Sequence, residues 1–188
     1  VFDKPMIYYP LSTLMIAGIR EILIISTEKD LPLFQNLLGD GSAFGIDLSY
    51  EIQNNPEGIP QSLLIAEEFL DGSNIALILG DNIFYGHNFS DLLKEANQLS
   101  EGAHIFCYPV RDPNRFGVAE IDSSGNVLSI EEKPELPSSN LAITGLYFYE
   151  NDAIQQAKNL TPSSRGETEI SDLNRFYLNE NKLKCTNL

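Results

Sequence analysis

The sequence has no tryptophan, and only two cysteines and two histidines occur among its 188 residues. Cys107 and Cys185 each have apolar neighbours within a predicted strand, which favours buried, reduced thiols over a disulfide framework. His87 and His104 have no metal-type spacing to each other or to either cysteine, so no zinc site is predicted. Because no apolar run reaches about 18 residues, no membrane-spanning helix is predicted either.

Positive charge is also scarce. The chain carries 12 Lys and Arg against 27 Asp and Glu, for a formal net charge of -15 and a pI near 4.3. This balance argues against a basic groove for nucleic acid and against a polybasic membrane patch. A phosphorylated small molecule remains an acceptable ligand if a divalent cation or a few well-placed Lys and Arg offset the repulsion.

What the first 110 residues do contain is a regular alternation of helical and strand patterns. Helices are predicted near 5–18, 59–72 and 88–102, a short helix ended by a Gly-rich turn within 31–45, and strands near 19–27, 48–53, 74–82 and 103–110. Gly18 is a C-cap signal for the first helix, and Ser90 is the expected N-cap of the fourth. The strand centres are apolar on both faces, which predicts a mainly parallel sheet between two helical layers, an α/β fold.

After Val110 the pattern changes. Alternating residues on both sides of "DSSGN" predict a β-hairpin over 117–134. A strand is predicted over 141–150, helices over 152–160 and 168–181, and a last strand over 182–188. The chain is therefore interpreted as one domain, residues 1–188, in which the hairpin embellishes a three-layer core.

The stretch "LILGDN" places Asp81 at the end of a strand that is predicted to be buried. Ligands of open α/β sheets lie outside the carboxyl ends of the strands, so Asp81 is a candidate Mg²⁺ ligand. The alternative is that Asp81 or Asn82 only caps the turn after the strand. Spacing alone leaves both interpretations open.

Two further stretches contain suitable polar groups. In "EIQNNPEGIPQS", the amide of Gln53 could pair with the edge of a nucleobase, and Gly58 would let the backbone approach a flat ring. In "RFGVAEID" and "IEEKP", Gly117 opens one hairpin strand and Glu132 and Lys133 close the other, where they could meet sugar hydroxyls and a phosphate. A plain turn and a solvated hairpin end are the alternatives.

These stretches, taken in order, resemble the sugar-phosphate nucleotidyltransferases, and within them the glucose-1-phosphate thymidylyltransferases. The similarity covers nearly the whole chain and is carried by "DKPMIYYPLSTLMIAGIREILIIST", "LLGDGSAFGIDLSYEIQ", "PEGIPQS", "LGDNIFYG", "DPNRFGVAEID", "EEKP", "TGLYFY" and "RGETEISDLN". The resemblance implies a Rossmann-like, glycosyltransferase-A-like α/β/α fold. It also implies a cytoplasmic enzyme that forms homotetramers.

The implied reaction is attack by a phosphate oxygen of glucose 1-phosphate on the α-phosphorus of dTTP. It releases pyrophosphate and gives dTDP-glucose, which feeds dTDP-rhamnose and surface polysaccharide synthesis. The resemblance assigns Asp81 as the metal and nucleotide ligand, with Mg²⁺ as the cofactor, and makes Asp81 and Lys133 catalytic. The resemblance assigns base contacts to Gln53 and Gly58. It assigns sugar-phosphate contacts to five residues, namely Gly117, Glu132, Lys133, Ile143 (through its backbone) and Tyr147.

The sequence also departs from the family pattern. A GGxGTRL-like loop and a following Lys are expected before Val1, and a second metal-binding Asp beyond Leu188, so the 188 residues alone are expected to be catalytically incomplete. Asn54 replaces a usual Pro and Pro60 a usual Ala beside the base loop. A uridylyl- or cytidylyltransferase therefore stays open, as does a non-catalytic domain that binds nucleotide sugars. A dehydrogenase or flavodoxin-like domain is disfavoured, because no GxGxxG is present.

Overall fold

Helices and strands alternate in the structure much as the sequence predicts. The computed structural model describes residues 3–188, so the first two residues of the predicted 1–188 domain lie outside the described residues. The helices are α1 (Tyr8–Ile16), α2 (Leu31–Leu38), α3 (Gln61–Ile65), α4 (Glu67–Leu70), α5 (Phe89–Ala96), α6 (Ala153–Lys158) and α7 (Ile170–Asn179). The strands are β1 (Glu21–Ser26), β2 (Asp47–Ile52), β3 (Ile75–Ile78), β4 (Ala103–Pro109), β5 (Gly117–Ile121), β6 (Val127–Glu132), β7 (Leu141–Tyr149) and β8 (Leu183–Asn187).

Strand β7 organises the larger, six-stranded sheet. It pairs antiparallel with β4 along one edge and with β3 and β5 along the other. Strand β8 adds to β4 in parallel, and β6 adds to β5 as the predicted antiparallel hairpin. Strands β1 and β2 pair in parallel as a separate two-stranded sheet. An apolar cavity of about 240 Å³ lies between β1 and β3.

The α/β class is confirmed, but the expectation of a mainly parallel sheet is wrong in detail. Strands β3 and β4 run in the same direction, yet both pair with β7 and not with each other. Ile75 of β3 and Ala103 of β4 both face Tyr149, from opposite edges of β7. A strand buried on both faces has the same apolar pattern whether its neighbours are parallel or antiparallel, so the sequence could not distinguish the two.

Two helix predictions also need correction. Helix α5 begins at Phe89 after Asn88, which has a left-handed φ of 59°, so Ser90 lies inside the first turn and is not the N-cap. The predicted helix over 59–72 is split into α3 and α4 at Ala66, where ψ is -1°. The structure has Ala17 as the C-cap of α1, and the predicted Gly18 follows it with a left-handed φ of 94°, where it ends the helix one residue later than a C-cap would.

The largest hydrophobic cluster packs α6 and α7 against β4 and β7. It includes Ile105 and Tyr149 from the sheet and Leu173 and Tyr177 from α7. At full burial, large side chains of this kind each contribute about 1.5–3 kcal/mol, so this cluster holds the ends of β7 and α7 in place. Within residues 3–188, no helix has both the length and the apolar character needed to cross a membrane.

Candidate functional site

Two adjoining cavities lie at the end of the sheet where β3 stops. The larger, about 780 Å³, is bounded by the loop after β3, the β5–β6 hairpin, β7 and the start of α7. The smaller, about 390 Å³, is bounded by the loop between β2 and α3. Ile59 and Leu79 line both cavities, so the two adjoin, and together they are called the cleft. All eight predicted site residues line this cleft, Gln53 and Gly58 in the smaller cavity and the others in the larger.

The loop after β3 is fastened to β7 by Asn82. Its side-chain oxygen accepts a hydrogen bond from the Gly145 N–H at 3.0 Å, and its Nδ2 donates to Asp81 Oδ1 at 2.8 Å. The Leu79 N–H also donates to the Gly145 carbonyl at 2.8 Å. The structural role in this turn therefore belongs to Asn82, while Asp81 is exposed to the larger cavity.

Gly145 lies at a β-bulge that shapes the cavity wall. The β4–β7 register passes from Ile105↔Tyr147 to Cys107↔Ile143, so β7 contains two more residues than β4 over this interval. A Cβ on Gly145 would lie 2.7 Å from the Leu79 side chain and 2.8 Å from Asn82 Nδ2. Bulges of this kind are common beside active sites, because they redirect side chains.

Glu132 and Lys133 close the β5–β6 hairpin at the opposite wall. The Glu132 carboxylate accepts a hydrogen bond from Ser171 Oγ at 2.5 Å and lies 3.8 Å from Lys133 Nζ. Lys133 has a left-handed φ of 45°, and its backbone N–H donates to the Phe116 carbonyl at 3.0 Å. The left-handed conformation turns the chain at the end of β6, so consecutive opposite charges both reach the cavity.

Arg165 supports this charged wall through its ion pairs without lining the cavity itself, and it was not predicted from the sequence. Its Nη2 lies 2.7 Å from Glu169 Oε2 and 3.4 Å from Glu132 Oε1. Burial acts to raise the pKa of Glu169, but hydrogen bonds from Arg165 and Ser163 outweigh it, so the pKa is lowered. "RGETEISDLN" belongs to the stretches that carry the resemblance, yet neither Arg165 nor Ser171 was predicted as a site residue, since their partner Glu132 is more than 30 residues away.

Gly117, Ile143 and Tyr147 form the floor of the larger cavity. A Cβ on Gly117 would lie 2.8 Å from Ser171 Oγ and 3.3 Å from Glu132 Oε2, so glycine makes room for that hydrogen bond. Tyr147 is buried, and burial together with the Glu132 charge raises the pKa of Tyr147 above its usual range. Its hydroxyl therefore keeps its proton at neutral pH and is available as a donor.

The smaller cavity presents the predicted base-binding groups. Gln53 Nε2 donates to Gln61 Oε1 at 2.5 Å, which ties the end of β2 to the start of α3. Gly58 has a φ of 107°, and a Cβ there would lie 2.0 Å from the Thr168 carbonyl oxygen. Gln61 was not predicted as a site residue. The residues that line the larger cavity without having been assigned include Tyr85, His87, Tyr108 and Arg115.

The cleft thus combines a hydrogen-bonding amide end, a charged end with Lys133 and Glu132, and an exposed carboxylate, Asp81, near the junction. Among the described residues, no group of three or more His, Cys, Asp or Glu side chains could hold a metal ion. A metal bound at Asp81 would therefore take most of its ligands from water or from a bound phosphate. This arrangement suits a small phosphorylated ligand that spans both cavities.

Comparison with solved structures supports the fold. A Bacillus anthracis protein assigned as a glucose-1-phosphate thymidylyltransferase, solved with sucrose, superposes with a TM-score of 0.88 at 38% identity, over 98% of this chain and 74% of that one. A UDP-glucose pyrophosphorylase solved with UDP-glucose superposes with a TM-score of 0.83 at 22% identity, over 99% of this chain and 79% of that one, which supports the fold alone.

Sequence comparison narrows the relationship. Glucose-1-phosphate thymidylyltransferases from Neisseria gonorrhoeae and Mycolicibacterium smegmatis are 58% and 51% identical over 183 residues, which is 97% of this chain. The chain spans 64% and 63% of the length of those two relatives. The family model described as nucleotidyl transferase matches residues 1–187. With this match over almost its entire length, the chain belongs to the nucleotidyl transferase family.

Proposed function

We propose that the protein transfers a thymidylyl group from dTTP to glucose 1-phosphate, releasing pyrophosphate and forming dTDP-glucose. The observation that carries the proposal is the cleft formed by two adjoining cavities, one with Gln53 and Gly58 and the other with Asp81, Glu132 and Lys133. Relatives at 50–58% identity that are named for this activity support the same conclusion. Placement in dTDP-rhamnose and surface polysaccharide synthesis follows from the product.

The charged wall would orient the sugar phosphate. Lys133 would neutralise charge on the phosphate of glucose 1-phosphate, so that its oxygen can approach the α-phosphorus of dTTP in line. The Glu132 carboxylate would accept hydrogen bonds from the sugar hydroxyls, and the protonated Tyr147 hydroxyl would donate one to them. Arg165 pairs with the buried Glu169 and with Glu132, and so helps to hold the Glu132 carboxylate in place. These residues act by positioning and electrostatics, as transfers of this type require.

Mg²⁺ is the cofactor that fits Asp81. Magnesium in phosphate-transfer sites takes one or two carboxylates, completes its coordination with water and substrate phosphate, and neutralises charge on the leaving group. Asp81 Oδ1 accepts from Asn82, and within residues 3–188 no Lys or Arg pairs with the Asp81 carboxylate, so its charge is available to a cation. Here Asp81 would hold the metal, and Asn82 would hold Asp81.

Ligand-dependent thermal unfolding and pyrophosphate release test this proposal together. We expect dTTP with Mg²⁺ to raise the unfolding midpoint, because a ligand that binds only the folded state stabilises it. Asp81→Asn should remove the Mg²⁺-dependent part of the shift. Asp47→Asn, at the exposed start of β2, is the matched control and should leave the Mg²⁺-dependent shift unchanged. Absence of any shift with dTTP, UTP and CTP would refute the nucleotide-binding assignment.

Two alternatives are separated by the same measurements. Equal turnover of dTTP, UTP and CTP would refute the thymidylyl assignment and favour a broader nucleotidyltransferase. A thermal shift with dTDP-glucose, and no pyrophosphate release even from a protein that also contains the expected GGxGTRL-like loop and Lys, would favour a non-catalytic domain that binds nucleotide sugars. The cytoplasmic location and the homotetramer are further parts of the proposal. Light scattering of the purified protein would test the tetramer directly.

A further inference from the structure

The smaller cavity contains a chain of hydrogen bonds that determines which way the Gln53 amide points. It begins at Glu57, whose carboxylate can only accept. Gln61 Nε2 donates to Glu57 Oε2 at 2.9 Å, and the Glu57 backbone N–H lies 3.3 Å from Gln61 Oε1. Because a carboxylate has no proton to donate at neutral pH, the Gln61 side chain must direct its nitrogen at Glu57.

The same logic extends to the ligand-facing residue. With its nitrogen bound to Glu57, Gln61 directs its oxygen at Gln53, and Gln53 Nε2 donates to that oxygen. This bond occupies one hydrogen of Gln53 Nε2, so the free groups of the amide are its oxygen and the second N–H. Among residues 3–188, no protein donor contacts Gln53 Oε1, although Gln53 lines the cavity. The orientation of both amides thus follows from one carboxylate.

Glu57 itself is held from the other side of the cleft. Its carbonyl accepts hydrogen bonds from both the backbone N–H and the Oγ1 of Thr168, each at 2.9 Å. Thr168 lies just before α7, so the loop that contains Glu57 is anchored to a separate element. A preorganised anchor matters, because an amide that could rotate freely would offer either a donor or an acceptor to a bound base.

We propose that Gln61, oriented by Glu57, is a positioning residue that presents the Gln53 oxygen to the base and so selects pyrimidines that carry an N3–H. This inference rests on the proposed function and deepens it. Thymine and uracil have a donor at N3 between two carbonyl oxygens, whereas cytosine has an acceptor there. An acceptor that faces N3 pairs with thymine or uracil and leaves cytosine with two opposed acceptors.

The test measures the ratio of affinities for matched nucleotides. Isothermal titration with Mg²⁺ gives Kd for the pairs dTTP and dCTP, and UTP and CTP, so that the sugar is constant within each pair. The wild-type chain should bind the N3–H member of each pair roughly tenfold or more tightly. Gln61→Leu removes the acceptor, so Gln53 can rotate, and both ratios should fall to within about threefold of unity.

Glu57→Gln is the second variant. It keeps the shape of the side chain but allows both amides to reverse, and it should also reduce both ratios. Gln35→Leu, on the exposed face of α2, is the matched control and should leave them unchanged. Equal weakening of all four nucleotides in Gln61→Leu, with the ratios preserved, would mean a purely structural role and overturn the inference. Failure of the wild-type chain to bind any of the four would instead overturn the proposed function.

Discussion

Replacing Gly58 by alanine tests the closest backbone approach in the cleft. The Cβ of alanine would lie 2.0 Å from the Thr168 carbonyl oxygen, and the φ of 107° disfavours any side chain. A left-handed φ costs about 1–2 kcal/mol for a non-glycine residue. Because the collision is with backbone, Thr168 must move away from Glu57. This movement weakens the two hydrogen bonds that Thr168 donates to the Glu57 carbonyl, worth about 1 kcal/mol each. We therefore expect Gly58→Ala to lower the free energy of unfolding by about 3–4 kcal/mol.

Alanine substitutions at two other glycines separate the cost of the left-handed φ from the cost of the backbone collision. Gly125 has a φ of 88° in the β5–β6 turn with open space around it, so Gly125→Ala should cost only the conformational part, about 1–2 kcal/mol. Gly102 has a φ of 80°, and a Cβ there would lie 2.1 Å from the Lys182 carbonyl oxygen, outside the cleft. Gly102→Ala should cost about 2–3 kcal/mol, because the Lys182 carbonyl accepts a hydrogen bond from Ala103.

The assay combines urea unfolding with nucleotide titration. A difference of about 2 kcal/mol between Gly58→Ala and Gly125→Ala corresponds to a midpoint shift of about 1 M urea, which is readily measured. Under conditions where each variant is folded, Gly58→Ala should weaken dTTP binding and Gly102→Ala should not. If Gly58→Ala unfolds no earlier than Gly125→Ala, Gly58 does not approach Thr168 in the folded protein and the reasoning is refuted.

Two charged residues at the opposite wall give the remaining predictions. Glu169→Gln should lower the free energy of unfolding at pH 7 by about 1–2 kcal/mol, a figure kept small because Arg165 is partly exposed. Since the pKa of Glu169 is lowered from 4.5, this contribution is complete above pH 4.5 and disappears as the pH falls through the native pKa. Urea titrations at several pH values would check it, with exposed Glu180→Gln as the control, and a difference that grows towards low pH would contradict it. Lys133→Met should raise the Kd of glucose 1-phosphate about tenfold or more through loss of one charge-assisted contact, whereas Lys158→Met, paired with Glu67 outside the cleft, should not. An unchanged Kd in a titration would remove Lys133 from the phosphate site.

The elements that carry the site were largely predictable, because each depends on local chemistry. An apolar run that ends in Gly80 and Asp81 predicts a buried strand with an exposed carboxylate at its end, and the structure places Asp81 there, although β3 is buried only at Ile75 and half-buried from Ala76 to Ile78. "DSSGN" between two alternating segments predicts a hairpin, and the hairpin is present. In such cases the information lies within one short continuous stretch of the sequence, and the prediction needs no distant partner.

The pairing of strands was not predictable in the same way. Strand β7 was recognised as a strand, but nothing in "LAITGLYFYE" indicates that it separates β3 from β4. Its nine residues include a bulge whose function is visible only once Gly145 lies against Leu79 and Asn82. The sequence could also not show that Asn82, and not Asp81, fastens the turn, because its partner on β7 is 63 residues further along the chain.

The same distinction explains why the site residues that were missed are the ones that support other residues. Asp81, Lys133 and Gln53 belong to short stretches whose chemistry is suggestive alone. Arg165 and Gln61 acquire a role only through their partners, since Arg165 braces Glu132 and Gln61 turns the Gln53 amide. A ligand contact requires only the right functional group at an accessible position. A supporting contact requires two side chains at hydrogen-bonding distance, and that distance is set by how the elements pack. The selectivity proposed for this cleft would depend on the supporting contacts, because they determine which atom of a contact residue faces the ligand.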